Sequence, residues 1–142
     1  MRRLQSATGA PKSLDMTNTT SATPWLLALA LAAPLAAAAA PPPNVQREVD
    51  YLLGYIEKSG CSFYRNGSWS DSGAAAGHVR MKYDYLSGRD QIASTADFID
   101  KTASESSVTG IPYQVRCDVS PPMLSRTWLG DELARYRAQS RR

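Results

Sequence analysis

Cys61-Ser62-Phe63-Tyr64-Arg65-Asn66-Gly67 is the stretch on which the fold turns. Aromatic residues in the first five positions mark a short strand, and Asn66-Gly67 is the pair preferred where both central residues of a tight turn need positive φ. Whether Ser68-Trp69-Ser70 returns as a hairpin partner stays open at this stage, three residues being very short. A second strand candidate lies at Pro112-Tyr113-Gln114-Val115-Arg116-Cys117, where Tyr113, Val115 and Cys117 alternate onto one face. One cysteine opens the first strand and the other closes the second. In an antiparallel pair those ends are neighbours, so the strand pairing and a Cys61–Cys117 bridge imply each other.

Helical periodicity fills the rest. Val45, Val49, Leu52, Leu53 and Ile56 recur on one helical face after Asn44, a candidate N-cap, and Ser59-Gly60 ends the run. Asp71 or Ser72 caps a second helix reaching about Leu86, with Ala75, Val79, Tyr83 and Leu86 inward. Ser94-x-x-Asp97 has the form of a capping box before a short third helix through Phe98, Ile99 and Thr102. After Pro121-Pro122, Ser125 caps a final helix defined by Trp128, Leu129 and Leu133. The predicted fold is α+β: about four helices packed on a minimal antiparallel sheet of two or three strands, stapled by one disulfide.

The 142 residues suffice for one ordinary domain. Hydrophobic residues make up 43% of the chain, a share inflated by the alanine-rich run Trp25–Ala40, WLLALALAAPLAAAAA. That run is shorter than the roughly 20 residues of a membrane-spanning helix, carries Pro34 and ends among small residues, the layout of a secretory signal. Residues 1–39 are therefore expected to be a signal peptide cleaved near Ala38–Ala40, with Met16 as an alternative start. Residues 40–44 form a Pro-rich lead-in, 45–138 a single domain, and 139–142 a basic tail. The formal charge of +3 includes Arg2, Arg3, Lys12 and Asp15 upstream, so the expected mature part carries only +1. A strongly basic nucleic-acid binder is excluded on that balance. The expected localisation is periplasmic or secreted, with no transmembrane helix after cleavage. An oxidising compartment favours pairing Cys61 with Cys117, worth on the order of 4 kcal/mol by chain entropy.

Chemistry is sparse. His78 is the only histidine, and with both cysteines paired no set of soft or imidazole metal ligands remains, so neither metal nor cofactor is expected. His78 and Lys82 stand one helical turn apart and read two ways: a pair lining a groove for an anionic group, or a half-buried imidazole with a lysine stem snorkelling past the core. Arg65, at the strand end, completes the former with Asn66 if the turn folds toward the helix, whereas Arg80 points elsewhere. Ser104, Ser106 and Ser107 offer hydroxyls that Lys82 or Lys101 can serve as base, but no Gly-x-Ser-x-Gly elbow or Ser-x-x-Lys motif fixes their geometry. Tyr51 and Tyr55, one turn apart and off the main apolar stripe, are either a partner-binding strip or the rim of the core.

Four strings occur in order: Arg65-Asn66-Gly67; Ala75-x-x-His78-Val79-Arg80-x-Lys82; Ile92-x-x-Thr95-Ala96-Asp97-Phe98-Ile99; and Ala103-Ser104-x-Ser106-Ser107-x-Thr109-Gly110-x-Pro112-Tyr113. Over roughly Val45 to Arg137 they resemble the bacterial domain-of-unknown-function family numbered 5329. The resemblance implies a small exported protein and brings no activity, ligand or catalytic residue. The polar residues of its pattern are Arg65, Asn66, His78, Arg80, Lys82, Ser106, Ser107 and Tyr113.

The leading expectation is a non-enzymatic binding or interaction module whose partner is an envelope protein or a small anionic ligand. One alternative is a small hydrolase or transferase using the Ser104–Ser107 loop with His78 or Lys82. The other is a purely structural envelope protein. A serine oxygen within hydrogen-bond reach of His78 or Lys82 would favour the enzyme.

Overall fold

A computed structural model describes residues 40–142; the expected signal peptide at 1–39 lies outside them. Helix α1 spans Pro43–Lys58, strand β1 Ser62–Arg65, strand β2 Ser68–Ser70 and helix α2 Ser72–Ser87. A short helix α3, Thr95–Phe98, runs into a π-helical turn at Ile99–Ala103. Strands β3, Gln114–Arg116, and β4, Met123–Leu124, precede helix α4 at Ser125–Gln139. The class is α+β as expected, but the sheet has four antiparallel strands in the order β2-β1-β3-β4, not two or three.

The two further strands arise differently. Asn66 (φ 48°) and Gly67 (φ 91°) take the left-handed conformations that a two-residue hairpin requires, which returns the chain as β2 despite its length. Strand β4 consists of two residues pairing Leu124 with Gln114 and Met123 with Val115. Its sequence follows Pro121-Pro122 and carries no period that would reveal it.

Helix α1 buries the expected stripe Val45, Val49, Leu52, Leu53 and Ile56. It begins one residue before Asn44, with Pro42 at the N-cap position and Pro43 opening the first turn, where a missing N–H costs nothing. Gly60 takes φ 65° just past the helix, the left-handed position that glycine fills without strain. Asp71 caps α2 by accepting from the Ala74 N–H at 2.8 Å. Ser94 and Asp97 form the reciprocal capping box that opens α3. Ser125 is the first residue of α4 and not its cap; Leu124 holds the cap position and offers no side-chain hydrogen bond.

Helices α1, α2, α4 and the π-helical turn enclose one core, with Phe98, Leu52, Ile56 and Leu129 at its centre. The sheet contributes Phe63 and Val115, which face each other across β1 and β3. The Cys61–Cys117 disulfide follows directly on the Ser62–Arg116 pair, its Cα atoms 4.3 Å apart, and joins positions 56 residues distant in sequence. Among the described residues no helix is long and apolar enough to cross a membrane.

Tyr51 and Tyr55 are not a free strip. Tyr51 stacks on Tyr136 with ring centroids 4.1 Å apart, and Tyr55 stacks on Trp128 at 4.5 Å. Both rings cement α1 to α4, which settles the choice in favour of the core's rim.

Candidate functional site: a pocket between the hairpin and helix α2

Side chains alternate along a strand, so Arg65 shares the inward face of β1 with the buried Phe63. Ser70, opposite Phe63 on β2, lies on that face too. Helix α2 crosses beside this face and presents Ala75, His78 and Val79. Together these elements wall a pocket of about 80 Å³ that also takes in Ile56, Ala103, Tyr113, Ser125 and Leu129. Arg65 is exposed and His78 half-buried, so they stand at the mouth. Ile56, Ala103 and Leu129, each no more than 2% exposed, form the floor.

Two of the expected polar residues, His78 and Lys82, meet at Tyr113. The His78 Nε2 and the Tyr113 hydroxyl stand 3.4 Å apart, with the rings edge to face. The Lys82 ammonium lies 5.4 Å from the centre of the Tyr113 ring and donates to the Glu105 carbonyl at 3.0 Å. Burial pushes the His78 pKa below its ordinary value, and the positive charges of Arg65 and Lys82 push it further down. Burial also lowers the Lys82 pKa; the charge of Glu105 opposes this and that of Arg65 adds to it. Burial raises the Tyr113 pKa, against the pull of Arg65. The cluster is an electropositive group in which adding a proton to His78 is disfavoured.

The other polar residues of the family pattern make contacts away from His78. Asn66 Oδ1 accepts from the Thr109 hydroxyl at 3.1 Å and ties the hairpin turn to the loop before β3. Arg80 reaches back to Asp50 on α1, 3.9 Å away. Ser106 Oγ accepts from the Val108 and Thr109 N–H groups inside its own turn. Ser107 lies on a shallow neighbouring depression with Met81, Lys82, Tyr85 and Leu86. Ser104 is buried, donates to the Ile99 carbonyl at 2.8 Å and accepts from Arg126. Among the described residues no serine hydroxyl hydrogen-bonds His78 or Lys82, so the geometry that would have favoured the enzyme is not formed by Ser104, Ser106 or Ser107.

Ser125 escaped the sequence reading as a pocket residue. Its side chain is 3% exposed, lines the pocket, and its Oγ has no hydrogen-bond partner. The signal was present: Ser125, Trp128, Leu129, Glu132 and Leu133 are all buried and follow helical spacing, so Ser125 lies on the apolar stripe of α4.

A relative with 39% identity over 62 residues is the uncharacterized protein YfeK of Salmonella typhimurium (strain LT2); the match covers 44% of this chain and 50% of the relative's length. The chain thus spans about half of the curated relative it matches. No solved structure matches. The model of the family of unknown function DUF5329 matches residues 43–137, which include every residue of the pocket, and the chain belongs to that family.

Proposed function

We propose that the protein is an exported, non-enzymatic binding module, and that its ligand is a small anion held by Arg65 and His78 at the mouth of the pocket, with Lys82 adding its charge from beside the Tyr113 ring. The observation that carries this reading is the meeting of His78 and Lys82 at one buried tyrosine, with the charge of Arg65 bearing on both. Glu105 is the carboxylate whose charge bears on Lys82, and it is exposed. A rim of that kind gains from an anion and has little to gain from a cation. Export is supported by the Trp25–Ala40 run and by the disulfide, since paired cysteines persist in oxidising compartments.

The test is a titration of the isotope-labelled domain with acetate, sulfate and phosphate, followed by backbone amide shifts. Shifts clustered at Arg65, His78, Lys82 and Tyr113, saturating at higher anion concentration in Lys82→Met at unchanged stability, are expected. Methionine keeps the stem and removes only the charge. If Lys82→Met lowers stability and leaves anion binding untouched, the three residues serve the fold and the reading is wrong.

A further inference from the structure

Building on that anion site, we propose that the pocket takes a short carboxylate of about three to five carbons, chain inward, with a hydroxyl or keto oxygen that meets Ser125. Two independent features of the pocket lead there. Below the mouth, the wall is Ile56, Val79, Ala103 and Leu129. A phosphate or sulfate, charged on every side, would surrender its hydration to those side chains and find few donors in return. A carboxylate needs to keep only one end at the rim. By size, about 80 Å³ leaves room for roughly five to eight non-hydrogen atoms, given that one water occupies about 10–15 Å³ of such space. Each methylene buried there strengthens binding by about fourfold.

The second feature is the unsatisfied hydroxyl. Buried polar groups nearly always have partners, and one without is either a water site or a ligand contact. Ser125 opens α4, a helix of 15 residues with no side-chain cap, and its N–H is already given to the Tyr113 carbonyl at 3.0 Å. The positive end of the helix adds to the hydroxyl's character as a donor. An oxygen acceptor on the ligand's chain fits that environment, and an amine does not.

The experiment compares acetate, propionate, butyrate, the 3- and 4-hydroxybutyrates and inorganic phosphate, each titrated into wild type and Ser125→Ala by amide shifts. Removing a partnerless hydroxyl should leave folding intact, which thermal unfolding checks. Affinity is expected to rise about fourfold per methylene from acetate to butyrate. At least one hydroxybutyrate should bind about fivefold tighter than butyrate, a gain of one hydrogen bond, and Ser125→Ala should abolish that preference alone. Phosphate binding as well as butyrate, in a Lys82-dependent manner, overturns the ligand class while leaving the anion site standing. Absence of a hydroxyl preference in wild type means that a water serves Ser125, and also overturns it. If no anion binds, the anion site itself fails.

Discussion

Arg137 clasps Glu48 with two hydrogen bonds, Nε to Oε1 and Nη2 to Oε2, both 2.7 Å long. The pair joins the first turns of α1 to the last turns of α4, 89 residues away in sequence. The Thr95 hydroxyl donates to the same carboxylate and brings in α3. Glu48 is 14% exposed and Arg137 46%, so the pair is screened on one side only. The hydrogen bonds from Arg137 hold the Glu48 pKa below its ordinary 4.5, with burial opposing and Thr95 assisting. A depressed carboxylate stabilises the fold above its unfolded pKa and stops doing so as pH falls through the folded one. Glu48→Gln should therefore cost about 1–2 kcal/mol at pH 7, discounted for the exposed arginine. The gap between wild type and variant should begin to narrow below about pH 4.5 and go on narrowing until pH falls through the folded pKa. Urea unfolding at pH 7 and pH 3.5 measures both; a gap no smaller at the lower pH would refute the assignment.

The capping box of α3 makes a smaller claim. Ser94 Oγ accepts from the Asp97 N–H at 3.0 Å, and Asp97 Oδ2 accepts from the Ser94 N–H at 3.1 Å. Lys101, 2.9 Å from the same carboxylate, is the first cause of its lowered pKa, followed by Ser94. Ser94→Ala should destabilise the domain by about 1 kcal/mol. Hydrogen exchange should quicken in α3 and the π-helical turn before it does in α1.

The bridge from Cys61 to Cys117 closes a loop over more than half of the described residues. Replacing both cysteines with serine should lower stability by on the order of 4 kcal/mol, since the loss is chiefly one of constraint on the unfolded chain. Non-reducing peptide mapping of protein recovered from the periplasm checks the pairing, and two alkylatable thiols there would contradict it.

What was legible in the sequence was whatever repeats at a local period. The stripe of α1, the Asn66-Gly67 hairpin turn and the Ser94–Asp97 box each depend on neighbours within a few residues, and each formed where it was read. The disulfide was legible because the expected export favoured pairing and the antiparallel strand ends brought the two cysteines together. Strand β4 was not, since two residues have no period and its pairing is set by β3. Tyr51 and Tyr55 were ambiguous because only the return of α4 decides whether a tyrosine off the main stripe is bare or covered. Even their polar ends are occupied: Tyr51 donates to the buried Glu132, which lifts its pKa to about 12. His78 and Lys82 were grouped by helical spacing, and Arg65 joined them only on the condition that the turn folds toward the helix, which no local period could decide. Ser125 was mistaken for a cap because serine before an apolar helix most often is one.

Export is open to a direct check. The mature chain is expected to begin near Ala39 to Pro41, with Ala39 or Ala40 favoured because proline immediately after the cut would hinder the peptidase. Intact mass of the protein released from the periplasm decides this. Recovery of a membrane-bound form still carrying Met1 or Met16 would refute it.

The pH dependence of anion binding gives the sharpest test of the rim. His78 is faced by Arg65 from β1, Lys82 from its own helix and Tyr113 from the segment before β3, with Glu105 acting on Lys82. Burial, then the charges of Arg65 and Lys82, hold its pKa below the ordinary 6.5, so the free site favours the neutral imidazole. The bound anion favours the imidazolium, so by linkage acid should strengthen binding. For acetate, binding should tighten as pH falls from 7.5, by at most about fivefold, the worth of about 1 kcal/mol for one more nearby charge. His78→Gln keeps a hydrogen-bonding side chain and removes the titration, so its binding should be flat over the same interval. Lys82→Met should instead weaken binding by a similar factor at every pH and retain the slope. A slope that survives in His78→Gln would assign the titration elsewhere and remove His78 from the site.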